Sequence, residues 1–93
     1  MFVLKQRKVD RHLMALANAI RSCRESLDMS QEEFAAQINA SANYVRRLED
    51  GLEEPRILAL IACANVFGIS VTELLELARL ERASALVCIE TES

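Results

Sequence analysis

Turn-forming residues are scarce in this chain, with one proline and two glycines among 93 residues. Strand-and-turn architectures have too little punctuation to use here. Long apolar runs are also missing. None approaches the roughly 20 residues that a membrane span needs. The amino terminus carries Lys5, Arg7 and Lys8, but its apolar piece, residues 2–4, precedes those charges and is too short for a secretory leader. The expectation is a soluble, cytoplasmic protein that meets no membrane. Cysteine is sparse, odd in number and widely spaced (Cys23, Cys63, Cys88), and the lone histidine, His12, supplies no cluster to match it. Neither a zinc site nor a disulfide framework follows. Cys23 and Cys63 fall at apolar helical positions and read as small buried hydrophobes, whereas Cys88 lies in the tail. His12, near a helix start, reads as a surface residue without chemistry. No nucleophile–base pair, carboxylate dyad, phosphate-cradling glycine loop or metal cluster is visible, so neither an enzyme nor a cofactor or small-molecule ligand is expected.

An overall positive charge is lacking too, since the formal net charge is −3. Its distribution is uneven. Residues 1–30 hold six basic and three acidic side chains, residues 31–50 two and four, and residues 51–93 three and seven. The positive end is the amino terminus, where a basic arm can touch a polyanion while an acidic body keeps the protein in solution.

What the chain does have is apolar residues at helical spacing over most of its length. The 52% apolar share suits one domain with a modest core. A first helix is expected after Asp10, with Leu13, Leu16, Ala17, Ile20, Cys23 and Leu27 inward, ending near Asp28, which tolerates a left-handed backbone. The strongest start signal follows. Ser30 and Glu33 form a capping box, with Met29 and Phe34 as its hydrophobic staple. That second helix runs to about Ile38, and Asn39 provides a tight turn. Ser41 caps a third helix ending near Asp50 and Gly51. After Pro55 a fourth helix presents Ile57, Leu60, Ile61, Ala64 and Phe67 on one stripe and stops at Gly68. Ser70 and Glu73 form a second capping box, with Ile69 and Leu74 as staple. The fifth helix runs through Leu74, Leu75, Leu77 and Ala78 to about Arg82. The segmentation is therefore an arm (1–9), a helical domain (10–82) and a tail (83–93). The tail is open between helix, strand and coil, and pairing of residues 86–89 with residues 2–4 as short strands is one expectation for it.

Two short helices across a tight turn, with a small residue on the first, are what insertion into a DNA groove requires. Ala35 lets the helices cross closely, and Phe34, Ile38, Val45 and Leu48 close the core below. The outer face of the second, comprising Ala42, Asn43, Arg46 and Arg47, is then available to a major groove. The same face also reads as merely solvated.

At these residues the chain resembles the Cro/repressor-like (XRE) helix-turn-helix family. The matching stretches are Ala19-Ile-Arg-Ser-Cys-Arg24, Met29-Ser-Gln-Glu-Glu-Phe-Ala35, Ser41-Ala-Asn-Tyr-Val-Arg-Arg-Leu-Glu49 with Gly51, and Phe67-Gly-Ile-Ser-Val-Thr-Glu-Leu74. The resemblance covers residues 13–78. It implies an all-α, five-helix domain of the lambda-repressor type that binds double-stranded DNA. It also implies that Gln31 clamps the DNA backbone, helped by Ser41 and Tyr44 at phosphates, although Tyr44 equally suits packing beside the turn. Ala42, Asn43 and Arg47 fall where such proteins meet base edges, and Arg46 suits a base or a phosphate. Arg24 and Glu49 resemble the family's internal ion pair.

The departures from the pattern lie just after the third helix. Asp50-Gly-Leu-Glu-Glu-Pro55 places three carboxylates where basic residues are usual, Arg56 stands at a capping position, and Leu52 and Leu58 form an exposed apolar patch. The patch reads either as loose surface composition or as a face covered by a second subunit. The leading expectation is a sequence-specific transcriptional regulator, a homodimeric repressor. The alternative is a protein-interaction module, such as an antitoxin or adaptor, using the same fold.

Overall fold

The structure, a computed structural model, describes the backbone of residues 11–92 and the side chains of residues 11–81. Five helices follow one another: α1 (Arg11–Ser26), α2 (Gln31–Gln37), α3 (Ala42–Glu49), α4 (Ile57–Phe67) and α5 (Val71–Glu92). No strand occurs among the described residues. The basic arm expected at residues 1–9 lies outside them.

The expected start signals operate. Ser30 Oγ accepts the Glu33 amide at 3.0 Å while the Glu33 carboxylate accepts the Ser30 amide at 2.8 Å. The same reciprocal pair joins Ser70 and Glu73 at the α5 start. Each satisfies two amides that lack an intrahelical partner. Arg56 occupies the α4 N-cap without a side-chain capping bond.

The stops share one device. Asp28 and Asn39 adopt φ of 57° and 59°, and Gly51 and Gly68 both adopt 75°. Across each, a pair of backbone bonds closes the helix end. For α1 these are Met29 N–H to Arg24 O and Asp28 N–H to Glu25 O, and for α2 Ala40 N–H to Ala35 O and Asn39 N–H to Ala36 O. For α3 they are Leu52 N–H to Arg47 O and Gly51 N–H to Leu48 O, and for α4 Ile69 N–H to Ala64 O and Gly68 N–H to Asn65 O. This is the Schellman pattern.

Around these ends the core gathers Ala15, Ala19, Ile20, Phe34, Ala35, Val45, Leu48, Cys63, Ala64, Leu74 and Ala78. Phe34 and Phe67 stack with ring centroids 5.2 Å apart, tying α2 to α4. α5 packs along α1, and α2 packs on α3. No single helix among the described residues is long and apolar enough to cross a membrane.

Several inward assignments differ from expectation. Leu27 lies exposed because Asp28 already turns the chain away from the α1 stripe. On α4, Ala64 and Cys63 are buried as expected and Leu60 and Phe67 pack against the core, but Ile57 and Ile61 are 61% and 40% exposed, so the buried stripe is rotated away from those two. Leu75 and Leu77 of α5 also face out, leaving Leu74 and Ala78 as the buried residues among its described side chains. Cys23 is half-buried rather than buried. The fifth helix does not stop at Arg82. It continues through residues 83–92, which contain no glycine or proline, and the β-branched Val87 and Ile89 are too few to end it. A strand over residues 86–89 is thereby replaced by helix; residues 2–4 lie outside the described residues.

Two predictions follow from this packing. At Gly68 an added Cβ would meet open space, whereas at Gly51 it would overlap the Met14 sulfur. Gly68→Ala should cost about 1 kcal/mol from the left-handed backbone alone, and Gly51→Ala more, because Met14 must also move. Denaturant unfolding measures both, and equal losses would show that Met14 yields freely. Burial pushes the Cys63 thiol up to about 12, leaving on the order of one thiolate in 100,000 at pH 7. Iodoacetamide at pH 7 should therefore spare Cys63 until the protein unfolds. Peptide mass mapping reads this, and prompt native-state labelling would contradict its burial.

Candidate nucleic-acid interface

Everything at this site is built on the angle between α2 and α3. Ala35 is almost fully buried at their crossing, and the Asn39 turn lies between the two helices. A larger side chain at position 35 would push the helices apart. Ser41 then restarts the chain as the α3 N-cap, its Oγ accepting the Tyr44 amide at 3.0 Å.

The eight residues of α3 divide into two faces. Val45, Leu48 and Glu49 are buried completely or nearly so, while Asn43, Arg46 and Arg47 are exposed and Ala42 is half-buried at the margin. Of the expected base-facing residues, three therefore stand on the open side of the helix and Ala42 on its edge. They are partly pre-ordered. Arg46 Nη1 donates to Asn43 Oδ1 at 2.9 Å, one helical turn away, and Arg47 Nη2 donates to Glu53 Oε1 at 2.6 Å.

The buried end of α3 carries a polar network that joins three helices. The Glu49 carboxylate is fully buried and accepts Arg24 Nε at 2.7 Å and Nη2 at 3.0 Å, a two-pronged ion pair. Gln31 Nε2 adds a third bond at 3.0 Å. Arg24 uses Nη1 on the Met29 carbonyl at 2.6 Å, and Arg21 Nη2 caps the α3 end by donating to the Glu49 carbonyl at 2.8 Å. The hydrogen bond to Glu49 holds the Arg24 guanidinium above its ordinary pKa, against the opposing effect of burial. One carboxylate thus joins the last turn of α1, the first residue of α2 and the last residue of α3.

Among the expected phosphate-facing residues, Gln31 stands at the α2 start with one amide proton directed to Glu49. Ser41 is exposed as a cap. Tyr44 is half-buried against the core, and burial raises its hydroxyl pKa, with Cys63 and Glu53 adding to the rise. Two participants escaped sequence reasoning. Arg21 gave no signal beyond being one more helical arginine. Glu53 was noticed only as a negative charge, although its place just past the Schellman turn after Arg47 is a usable cue.

Two short helices across a left-handed turn, the second buried on one side and arginine-bearing on the other, define a helix-turn-helix DNA-binding domain. The helix-turn-helix family model matches residues 20–74, and the chain belongs to that family, in its Cro/C1 (XRE) type. Its fold is similar to that of the clp gene regulator ClgR from Corynebacterium glutamicum, with a TM-score of 0.82 at 26% identity over 87% of this chain and 86% of that one. A second ClgR structure gives a TM-score of 0.72 at 28% identity, over 76% of this chain and 91% of that one. Comparison with curated protein sequences gives no match.

Removing one partner of a buried pair strands the other charge. Arg24→Met should therefore cost about 3–5 kcal/mol, whereas Arg24→Met with Glu49→Leu should regain most of that loss, since both charges leave together. A denaturant double-mutant cycle checks this; simple addition of the two single losses would mean the pair is not coupled.

Proposed function

We propose that this protein is a sequence-specific transcriptional regulator that seats α3 in the major groove of double-stranded DNA and acts as a homodimeric repressor by occupying an operator. The observation that carries the reading is the two-sidedness of α3. Its inner face is locked by Val45, Leu48 and Glu49, and its outer face offers Asn43, Arg46 and Arg47 to solvent. A helix anchored in this way can enter a groove without losing its own packing.

Asn43 suits adenine and Arg47 suits guanine by the pattern of donors and acceptors, each good pair contributing roughly 1–3 kcal/mol of discrimination. Ala42 offers an apolar contact to a thymine methyl, and Arg46 serves a base or a phosphate. Gln31 acts at the DNA backbone. An amide nitrogen carries two protons, so with one on Glu49 the other is a donor for a phosphate oxygen. Ser41 keeps its hydroxyl proton for the same purpose while capping α3. Tyr44 contributes from the margin. The clp gene regulator ClgR, as a structural relative, supports the regulator reading.

Pairing of two copies is supported by the apolar surface that follows α3. Leu52 and Leu58 are 71% and 75% exposed, and Ile57 and Ile61, on α4 with Leu58, are exposed as well. A single small domain gains little from leaving these in water. Covering them with a second copy would also present two recognition helices to half-sites about 34 Å apart, one turn of the duplex.

In vitro selection of bound DNA from a random pool tests the whole reading. The expected product is a pseudo-palindrome with half-sites about 10 base pairs apart. Arg47→Ala and Asn43→Ala should each lower affinity for it by about tenfold or more, while Gln31→Ala weakens binding to all sequences alike. Leu58→Glu should yield monomers that prefer single half-sites. Flat affinity across the pool defeats the base-reading claim. A stoichiometric protein partner with no DNA binding at low salt favours the interaction-module alternative.

A further inference from the structure

The Arg47–Glu53 pair is unusual in its placement. A carboxylate beside an arginine on the proposed groove-facing side opposes an approaching polyanion. Its geometry is nevertheless fixed from two directions. The Schellman closure puts the Leu52 amide on the Arg47 carbonyl at 2.9 Å, so the residue after Leu52 is held beside the arginine that it pairs with. Glu53 then takes Arg47 through a single nitrogen, Nη2, at 2.6 Å. The carboxylate is the inner member of the pair, with 32% of its side chain exposed against 50% for the arginine.

Guanidinium has five N–H donors in a rigid fork. One bond to Glu53 leaves the fork with donors enough for the two-pronged contact that guanine O6 and N7 accept. An arginine side chain otherwise carries about 2 kcal/mol of rotamer entropy, which is lost when it is pinned. Here part of that ordering is already present in the free protein.

Resting on the proposed base-reading role of Arg47, we propose that Glu53 is a specificity-determining positioning residue: it holds the Arg47 guanidinium in one orientation, so that the arginine reads guanine and does not settle on the nearest phosphate. The negative charge is a separate effect. It lowers affinity for DNA phosphates at specific and non-specific sites alike, and the ratio between them is set by the orientation of Arg47.

The proposal separates acceptor from charge, and two variants separate them experimentally. Glu53→Ala removes both, while Glu53→Gln removes the charge and keeps an oxygen acceptor for Arg47. Both variants should bind non-specific DNA more tightly and with altered salt dependence, because a charge facing phosphates is gone. The ratio of specific to non-specific affinity should fall about tenfold in Glu53→Ala and stay near the parent value in Glu53→Gln. In repeated selection, Glu53→Ala should lose preference at the single base pair that Arg47→Ala also relaxes, with the other positions intact. In an Arg47→Ala background, Glu53→Ala should leave the ratio unchanged. If Glu53→Ala keeps the parent ratio while Arg47→Ala lowers it, Glu53 is only a repulsive charge and the inference falls alone. If the parent protein shows no sequence preference, the base-reading function fails and this inference fails with it.

Discussion

The buried carboxylate of Glu49 is the constraint on which the arrangement of the first three helices depends. A charge out of water is costly unless it is fully bonded, and Glu49 reaches that state only when Arg24, Gln31 and the α3 terminus are all in place. The bonds come from three helices, so satisfying the charge selects one mutual orientation of those helices. An apolar contact at the same place would tolerate sliding or rotation of α3. A two-pronged guanidinium–carboxylate pair does not, because both atoms and plane must match. The angular precision that a groove-reading helix needs thus originates at its buried end.

The second constraint is brevity. α2 and α3 have seven and eight residues, too short to be stable alone. Their ends must therefore be well finished. α2 begins with a capping box, α3 with a serine cap, and both end in the same left-handed closure. Asn39 supplies that closure between them and keeps the connection to a few residues, so that Ala35 and Val45 pack into one core. Gly51 does the same after α3, close enough to Met14 that α1 lies against the turn. Caps, closures and core agree locally with the global fold, which is the mark of a sequence with little internal conflict.

Much of this was legible beforehand, and for physical reasons. Capping boxes, positive-φ residues and the small Ala35 are local rules written in neighbouring residues, and each appeared where expected. The two faces of α3 were legible because Val45, Leu48 and Glu49 fall on one side of a short helix whose bounds its caps fix. The rotation of α4 was not, since Ile57, Leu58, Leu60, Ile61 and Cys63 are apolar around much of the circumference and periodicity cannot choose among them. The neighbours that close around Cys63 and Ala64 in the folded core decide the matter. The extension of α5 was missed because helices are predicted to stop at signals, and residues 83–92 contain none. Arg21 was illegible as a partner because a surface charge gains its meaning from where the backbone brings it, and Glu53 was legible only through the Gly51 closure that returns the chain to Arg47.

An acidic DNA-binding domain calls for a different account of affinity from a basic one. With a formal charge of −3, the chain has no strong long-range field to attract a duplex. What it has instead is arginines already held. Arg24 and Arg21 are bound to the Glu49 carboxylate and carbonyl, Arg46 to Asn43, and Arg47 to Glu53. The first two stiffen the scaffold and the last two lie on the exposed face of α3. On the proposed reading, such a surface binds random sequence weakly, because each phosphate contact must compete with an existing partner or a nearby carboxylate. Correct bases restore the affinity through geometry prepared in advance. On that same reading the arrangement exchanges general attraction for discrimination, and the proposed pairing of two copies recovers binding strength by duplicating the recognition helix.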